Sequence, residues 1–256
     1  MKKNIIKQSL ICIALFTITS CKKEKSTLPD VTVISATGDI KEEMDAFRHL
    51  LGDQLNTTTG VTGGRREINW DAIPDAMLGN DLPLDFFNPT APGSPQSLQR
   101  GLAYAAAGQF RVSNNQFHDV NSNASGEFKS FSGNKTFANI SSNAWEIIIE
   151  KSGQQLTAST RGFGIVFSDV DLPKSTSLEF FNGNKSIGLY YAPPHDATSS
   201  FSFLGVYFNS SDRITRIRIK HDGILSHWQK DISTNGTSDL VILDDLLYSE
   251  PVAIKP

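Results

Sequence analysis

The densest group of chemically capable side chains is Arg65-Arg66-Glu67-Ile68-Asn69-Trp70-Asp71. An arginine fork can grip a carboxylate or sugar hydroxyls, and an indole offers a sugar ring an apolar face. Arg65, Arg66, Glu67, Asn69, Trp70 and Asp71 are therefore candidate ligand-binding residues. The same segment has an alternative duty: tying a long loop to a β-framework, with the arginines paired to acids and Trp70 in the core. A second group is acidic. Asp169 and Asp171 follow an alternating apolar run, and Asp244-Asp245 lies in the last such run. Hard carboxylate oxygens suit Ca²⁺, so Asp169, Asp171, Asp244 and Asp245 are candidate ligands of a structural calcium. Such an ion would be a brace, not a required cofactor. Side chains alternate along a strand, so at most one of Asp244 and Asp245 is expected at that site. If the groups converge, Arg66 or Trp70 would sit at the rim. Pairing of the acids with Arg216 or Arg218, or plain solvation, is the alternative.

Other groupings carry less. His221-Asp222 with His227, and His195-Asp196, lack a third ligand at metal-site spacing. Glu67 with Asp71 or Asp85 has the residue types of a glycosidase pair, but nothing fixes their separation. The chain has no G-x-S-x-G, H-E-x-x-H, P-loop or dinucleotide fingerprint. No catalytic residue is assigned. A non-catalytic module that binds carbohydrate or another extracellular ligand is the favoured reading. A glycan-active hydrolase and a purely structural envelope protein are the alternatives.

Strands must position these groups. From about residue 101 the apolar pattern has period two. Residues 145–150, Phe163/Ile165/Phe167, Leu178/Phe180, Ile187/Leu189/Tyr191 and Leu204/Val206/Phe208 read as strands, as do residues 214–220 and 239–248. Asn182-Gly183-Asn184 is a hairpin turn signal. Of 16 Phe, all but Phe16 and Phe47 lie between Phe86 and Phe208, which argues for one aromatic core. Residues 39–51 read as one amphipathic helix, with Asp39 as N-cap, Glu42 completing a capping box and Gly52 after the end. Residues 56–95 read as long ordered loops with short strands. The expected fold is mainly β: a single antiparallel β-sandwich of jelly-roll type over residues 37–252, one helix at its N-terminal side, and a tail at 253–256.

Residues 1–20 carry Lys2, Lys3 and Lys7 and no acid, followed by a short apolar run. That is the layout of a signal peptide, too short to span a bilayer. It ends Ile18-Thr19-Ser20-Cys21, which resembles the bacterial lipobox. The resemblance implies cleavage before Cys21, diacylglycerol on its sulfur and an acylated N-terminus, with residues 21–36 as a tether. Lysine after Cys21 resembles leaders exported to the outer membrane, and the charged run resembles surface-lipoprotein leaders of Bacteroidetes-type bacteria. The partner would be a bilayer, with the body facing the periplasm or the cell surface. Losing the three leader lysines leaves 21 basic against 27 acidic residues, a net charge of −6. An acidic body does not suit a nucleic-acid binder. With Cys12 in the leader and Cys21 acylated, no thiol remains for a disulfide.

Several phrases together resemble one family of secreted bacterial proteins of unknown function. They include Gly63-Gly64-Arg65-Arg66-Glu67-Ile68-Asn69-Trp70-Asp71 and Gly162-Phe163-Gly164-Ile165-Val166-Phe167-Ser168-Asp169-Val170-Asp171. Phe203-Leu204-Gly205-Val206 and Asp244-Asp245-Leu246-Leu247-Tyr248-Ser249-Glu250-Pro251 continue the series. The resemblance runs from about Gly38 to Pro251. Relatives often carry a PEP-CTERM type of C-terminal sorting segment; here the expected anchor is instead N-terminal, at Cys21. The second half is also loosely similar to jelly-roll modules of the galactose-binding and lectin kind. Neither resemblance implies a known catalytic residue.

Overall fold

The structure is a computed structural model and describes residues 30–105, 108–211 and 213–254. The leader, Cys21 and most of the tether lie outside them. In chain order the elements are β1 (Val31–Thr37), α1 (Lys41–Leu51), β2 (Arg65–Ile68), β3 (Leu102–Tyr104), β4 (Phe110–Ser113), β5 (Thr136–Asn139) and β6 (Ala144–Ile149). There follow β7 (Ala158–Ser159), β8 (Gly162–Ser168), β9 (Ser177–Asn182), β10 (Lys185–Tyr191), β11 (Phe201–Phe208), β12 (Arg216–Lys220), β13 (Ile242–Ser249) and β14 (Val252–Ala253).

The chain is mainly β, and its strands pair antiparallel. One sheet has seven strands in the order β1-β11-β8-β13-β5-β4, with β2 also on β13. The other has five, β10-β9-β12-β6-β3. Alternation decides what each face does. Phe163, Ile165 and Phe167 of β8 and Leu204 and Val206 of β11 point inward. They share one core with Trp145, Ile147, Phe180, Ile217 and Ile219 of the second sheet. The two sheets therefore pack face to face in a sandwich-like arrangement.

The outward side chains of the larger sheet are small where α1 lies. Gly164 of β8 and Gly205 of β11 are register partners. A Cβ on either would stand 2.8 Å from the Phe47 ring. The glycines thus make a flat seat for Phe47, and Met44 and Leu51 complete the buried stripe against Val166, Phe203 and Leu247. Glu42 and Glu43 in the first turn and Arg48 and His49 in the last complement the helix dipole. The helix begins at Lys41 and not at the expected residue 39. Ile40 occupies the cap position without a side-chain bond, and Asp39 only reaches the Lys41 amide at 3.4 Å. Among the described residues, no helix is long and apolar enough to cross a membrane.

Residues 31–36, expected to belong to a flexible segment 21–36, are ordered as a strand. Val31–Thr37 pairs residue for residue with β11 as an edge strand. Val31, Val33 and Ile34 supply the β-branched residues that such an edge accepts. The hairpin at residues 182–184 stands as read, with Gly183 at φ 59° between β9 and β10.

Candidate functional site

The segment 65–71 serves as a strap. β2 pairs with β13, so Arg66 and Ile68 point inward while Arg65 and Glu67 point outward. Arg66 is fully buried and forks onto Glu250, with Nε–Oε2 at 2.7 Å and Nη2–Oε1 at 2.9 Å. Its Nη2 also donates to the Thr58 carbonyl at 2.7 Å. Trp70 is fully buried, stacks on Phe137 at 4.1 Å and donates its indole N–H to the Asp244 carbonyl at 2.8 Å. Outside, Glu67 accepts from Arg65 at 2.6 Å and from Arg48 of α1 at 3.0 Å. Burial pushes the Glu67 carboxyl up, but the two arginines outweigh that and hold it below the usual range. It has no proton to lend as a general acid at neutral pH. Asp71 accepts the Asn134 amide at 2.9 Å, and Asn69 is exposed. Against the expectation, Arg66 and Trp70 are buried and cannot meet a ligand, and Arg65 and Glu67 fasten α1 to β2, while Asn69 and Asp71 remain accessible.

Asp244 and Asp245 depart from the alternation rule. The β13–β8 register shifts between Leu243 and Leu246. This irregularity lets both carboxyls face one serine, Ser132, whose hydroxyl lies 3.4 Å from Asp244 Oδ1 and 2.6 Å from Asp245 Oδ1. The Phe131 amide donates to Asp244 Oδ2 at 2.6 Å. Burial, reinforced by the neighbouring Asp245, pushes the Asp244 carboxyl up to about 8. The two acids do not join Asp169 and Asp171. Nor do Arg216 and Arg218 serve either group, because both pair with Glu146.

A pH dependence follows from the Asp244 pair. The folded pKa lies above the unfolded value, so this stabilisation is present at low pH and is lost as pH rises from about 4 to about 8. Asp244→Asn keeps the acceptor for Phe131 and supplies a donor to Asp245. Its melting temperature should fall less steeply than the wild type's between pH 5 and 8.5. An unchanged slope would show that the pair holds no shared proton.

The structure gathers a different acidic group around Asp169 and Asp171. Ser168, the last residue of β8, pairs with Phe201 on one side and Ile242 on the other. The segments just beyond these three strand ends therefore meet. They bring Asp169 and Asp171 after β8, His195 before β11, and Asp231 and Asp239 before β13, while Glu127 joins from the β4–β5 connection. Potential ligand atoms lie within 4.8 Å of one another in three overlapping groups: Asp169, Asp171 and His195; Glu127, Asp169 and Asp231; Asp171, Asp231 and Asp239.

Each member is positioned by the backbone around it. Asp239 Oδ2 accepts from the Asp171 and Leu172 amides at 3.1 and 2.9 Å. Asp231 accepts the Ser233 and Leu240 amides at 2.9 and 2.7 Å. Glu127 accepts the Ser233 and Thr234 hydroxyls. His195 Nε2 lies 2.9 Å from Asp171 Oδ1 and 3.7 Å from Asp169 Oδ1, and its Nδ1 is 2.8 Å from the Asp196 carbonyl. Nδ1 must donate to that carbonyl, which turns Nε2 toward the acids. Asp169 has φ 73°, an unusual conformation for a residue other than glycine. Burial, with Asp171, Asp231 and Glu127 nearby, pushes its carboxyl up to about 8. Burial and Asp231 raise Asp171 to about 7.

Glu127, His195, Asp231 and Asp239 were not singled out in the sequence as partners of Asp169 and Asp171. The only local signal was the Asp-x-Asp after a strand, because the other groups arrive through strand pairing.

The open face of the five-stranded sheet is a second surface with chemistry. Arg216, Arg218 and Lys220 of β12 project outward, and Arg216 and Arg218 lie over the Phe181 ring at 3.9 and 5.1 Å. A groove of about 330 Å³ is lined by Lys174, Glu179, Leu189, Tyr191, Arg218 and Lys220, with two serines. Leu189 is 49% and Tyr191 41% exposed.

No family model, curated protein or solved structure matches this chain.

Proposed function

We propose that this chain is a lipid-anchored protein of the bacterial outer membrane that binds carbohydrate without catalysis, on the open face of its five-stranded sheet. The reading takes Cys21 as the acylated N-terminus and the two-sheet core as a jelly-roll type. The observation that carries it is the pairing of exposed Tyr191 and Leu189 with the lysines Lys174 and Lys220 on a rigid strand surface. An aromatic ring offers a sugar its apolar face, and Lys174 and Lys220 reach hydroxyls or carboxylates beside Arg218, whose fork is held by Glu146 and Glu179. With Arg218 balanced by Glu179 and Glu146, Lys174 and Lys220 leave the groove positive in a chain whose mature charge is −6, which favours an acidic saccharide. A glycan hydrolase fits less well, because Glu67 is neutralised by Arg48 and Arg65.

The test is a glycan array followed by titration of the best binder. Tyr191→Ala should weaken binding at least about tenfold, the loss of roughly 1.4 kcal/mol, with an unchanged melting temperature. No bound glycan, or equal binding by the variant, overturns the reading. The mass of the mature N-terminal peptide reports the acyl chains on Cys21, and an unmodified Cys21 removes the anchor.

A further inference from the structure

We propose that Asp169, Asp171, Asp231 and Asp239, flanked by Glu127 and His195, form a binding site for a hard divalent cation of the calcium type. The site is distinct from the sheet-face groove and does not depend on it.

Charge balance is the first reason. Five carboxylates converge here, and among the described residues none of them forms an ion pair with a lysine or arginine; only His195 offers a positive charge. Elsewhere carboxylates away from this group are matched with arginine: buried Glu250 with Arg66, half-buried Glu67 with Arg48 and Arg65, and half-buried Glu146 with Arg216. Buried carboxylates left together without such partners need protons or a cation.

Unused oxygens are the second reason. Asp169 is 4% exposed and Asp239 is fully buried, yet Asp169 Oδ2 and Asp239 Oδ1 accept no hydrogen bond, and neither does Asp171 Oδ2. A buried acceptor without a donor is costly unless something else satisfies it. In each of these three carboxyls one oxygen is left over, and all three acids belong to the gathered groups. The other acids are already held in place by amides and hydroxyls, as carboxylate ligands are oriented by the groups around them.

The donor set selects the ion. Two of the three groups are wholly oxygen and share Asp231. Calcium takes six to eight oxygens and tolerates irregular geometry, whereas zinc prefers nitrogen and sulfur. The imidazole, turned inward by the Asp196 carbonyl, stands at the more exposed edge.

The experiment is calorimetric titration of the EDTA-treated full-length protein with calcium chloride, zinc chloride and manganese chloride, alongside melting curves. Calcium should bind saturably, and at a hundredfold excess over Kd should raise the melting temperature by roughly 5–10 °C. Asp169→Asn should abolish the calcium heat. In EDTA that variant should melt at or above the wild type, because one acid of a crowded carboxyl group has been replaced by a neutral amide. A merely structural aspartate would move the other way. If Asp169→Asn does not fold, Glu127→Gln carries the test and should weaken calcium at least about tenfold. The proposal is overturned by identical melting in EDTA and millimolar calcium, by binding of zinc or manganese but not calcium, or by a folded variant that binds calcium as tightly as the wild type.

Discussion

Arg66→Ala should lower the stability of the folded chain by about 3–5 kcal/mol, the usual result of breaking a buried ion pair from one side. Arg66 and Glu250 are both essentially inaccessible, and the fork between them joins β2 to the end of β13. Removing the guanidinium leaves the Glu250 carboxylate with only Asn56 and Ser152 as donors, at 2.9 and 3.2 Å. It also strips the Thr58 carbonyl of its donor. Domains are stable by only about 5–15 kcal/mol, so this one substitution takes a large share. Urea unfolding followed by circular dichroism measures it. The double variant Arg66→Met, Glu250→Leu should recover part of the loss, because neither partner is then left charged and alone. A single-variant loss below about 1 kcal/mol would mean that water reaches Glu250 and the pair is not dry.

Trp70→Ala should cost about 3–5 kcal/mol, the range for large aromatic truncations in a core. The indole lies flat on Phe137, meets Phe87 edge-on at 5.5 Å and satisfies the Asp244 carbonyl. Trp70→Phe keeps the stacking and forfeits the hydrogen bond, so it should cost about 1–3 kcal/mol. Denaturant titration of both variants provides the ranking. Neither should change glycan affinity in the protein that remains folded, whereas Tyr191→Ala should. A Trp70→Phe variant as stable as the wild type but deficient in sugar binding would return residues 65–71 to the ligand-binding role.

Period-two patterning made β6, β8, β9, β10, β11, β12 and β13 legible, because each carries apolar residues on one face at least. The short strands β3, β4 and β5 and the edge strand β1 were not legible. Three or four residues give too few alternations to register, and β1 hides its pattern in a polar context. At the acidic site the sequence offered Asp169 and Asp171 but misplaced their partners. Asp244 and Asp245 lie in β13, the strand that flanks β8, yet they do not reach Asp169 and Asp171. The register irregularity at Leu243/Leu246 turns them toward Ser132 instead. Asp239, five residues earlier, is the one that reaches Asp171. No spacing rule specifies which residue before a strand lands beside which residue after another. That depends on hydrogen-bond register, a non-local property. The Arg65–Trp70 cluster misled for a related reason: functional-group density does not say which face a side chain occupies, and β2 buries every second one.

The seat that Gly164 and Gly205 provide for Phe47 has a consequence for the solubility of the molecule. Those bare positions, with Val166, Phe203 and Leu247, make one face of the larger sheet smooth and apolar, covered by α1 with Phe131 packed beside it. The preceding strand, β1, also caps the β11 edge along seven register pairs. A proteolytic cut beyond residue 51, followed by release of residues 31–51, would remove both at once. It would leave β11, Phe201–Phe208, as an open edge bordering an uncovered hydrophobic plane, which offers a neighbouring chain both a hydrogen-bonding template and a sticky surface. Residues 31–51 thus act as a built-in guard against self-association in the crowded envelope proposed for this protein.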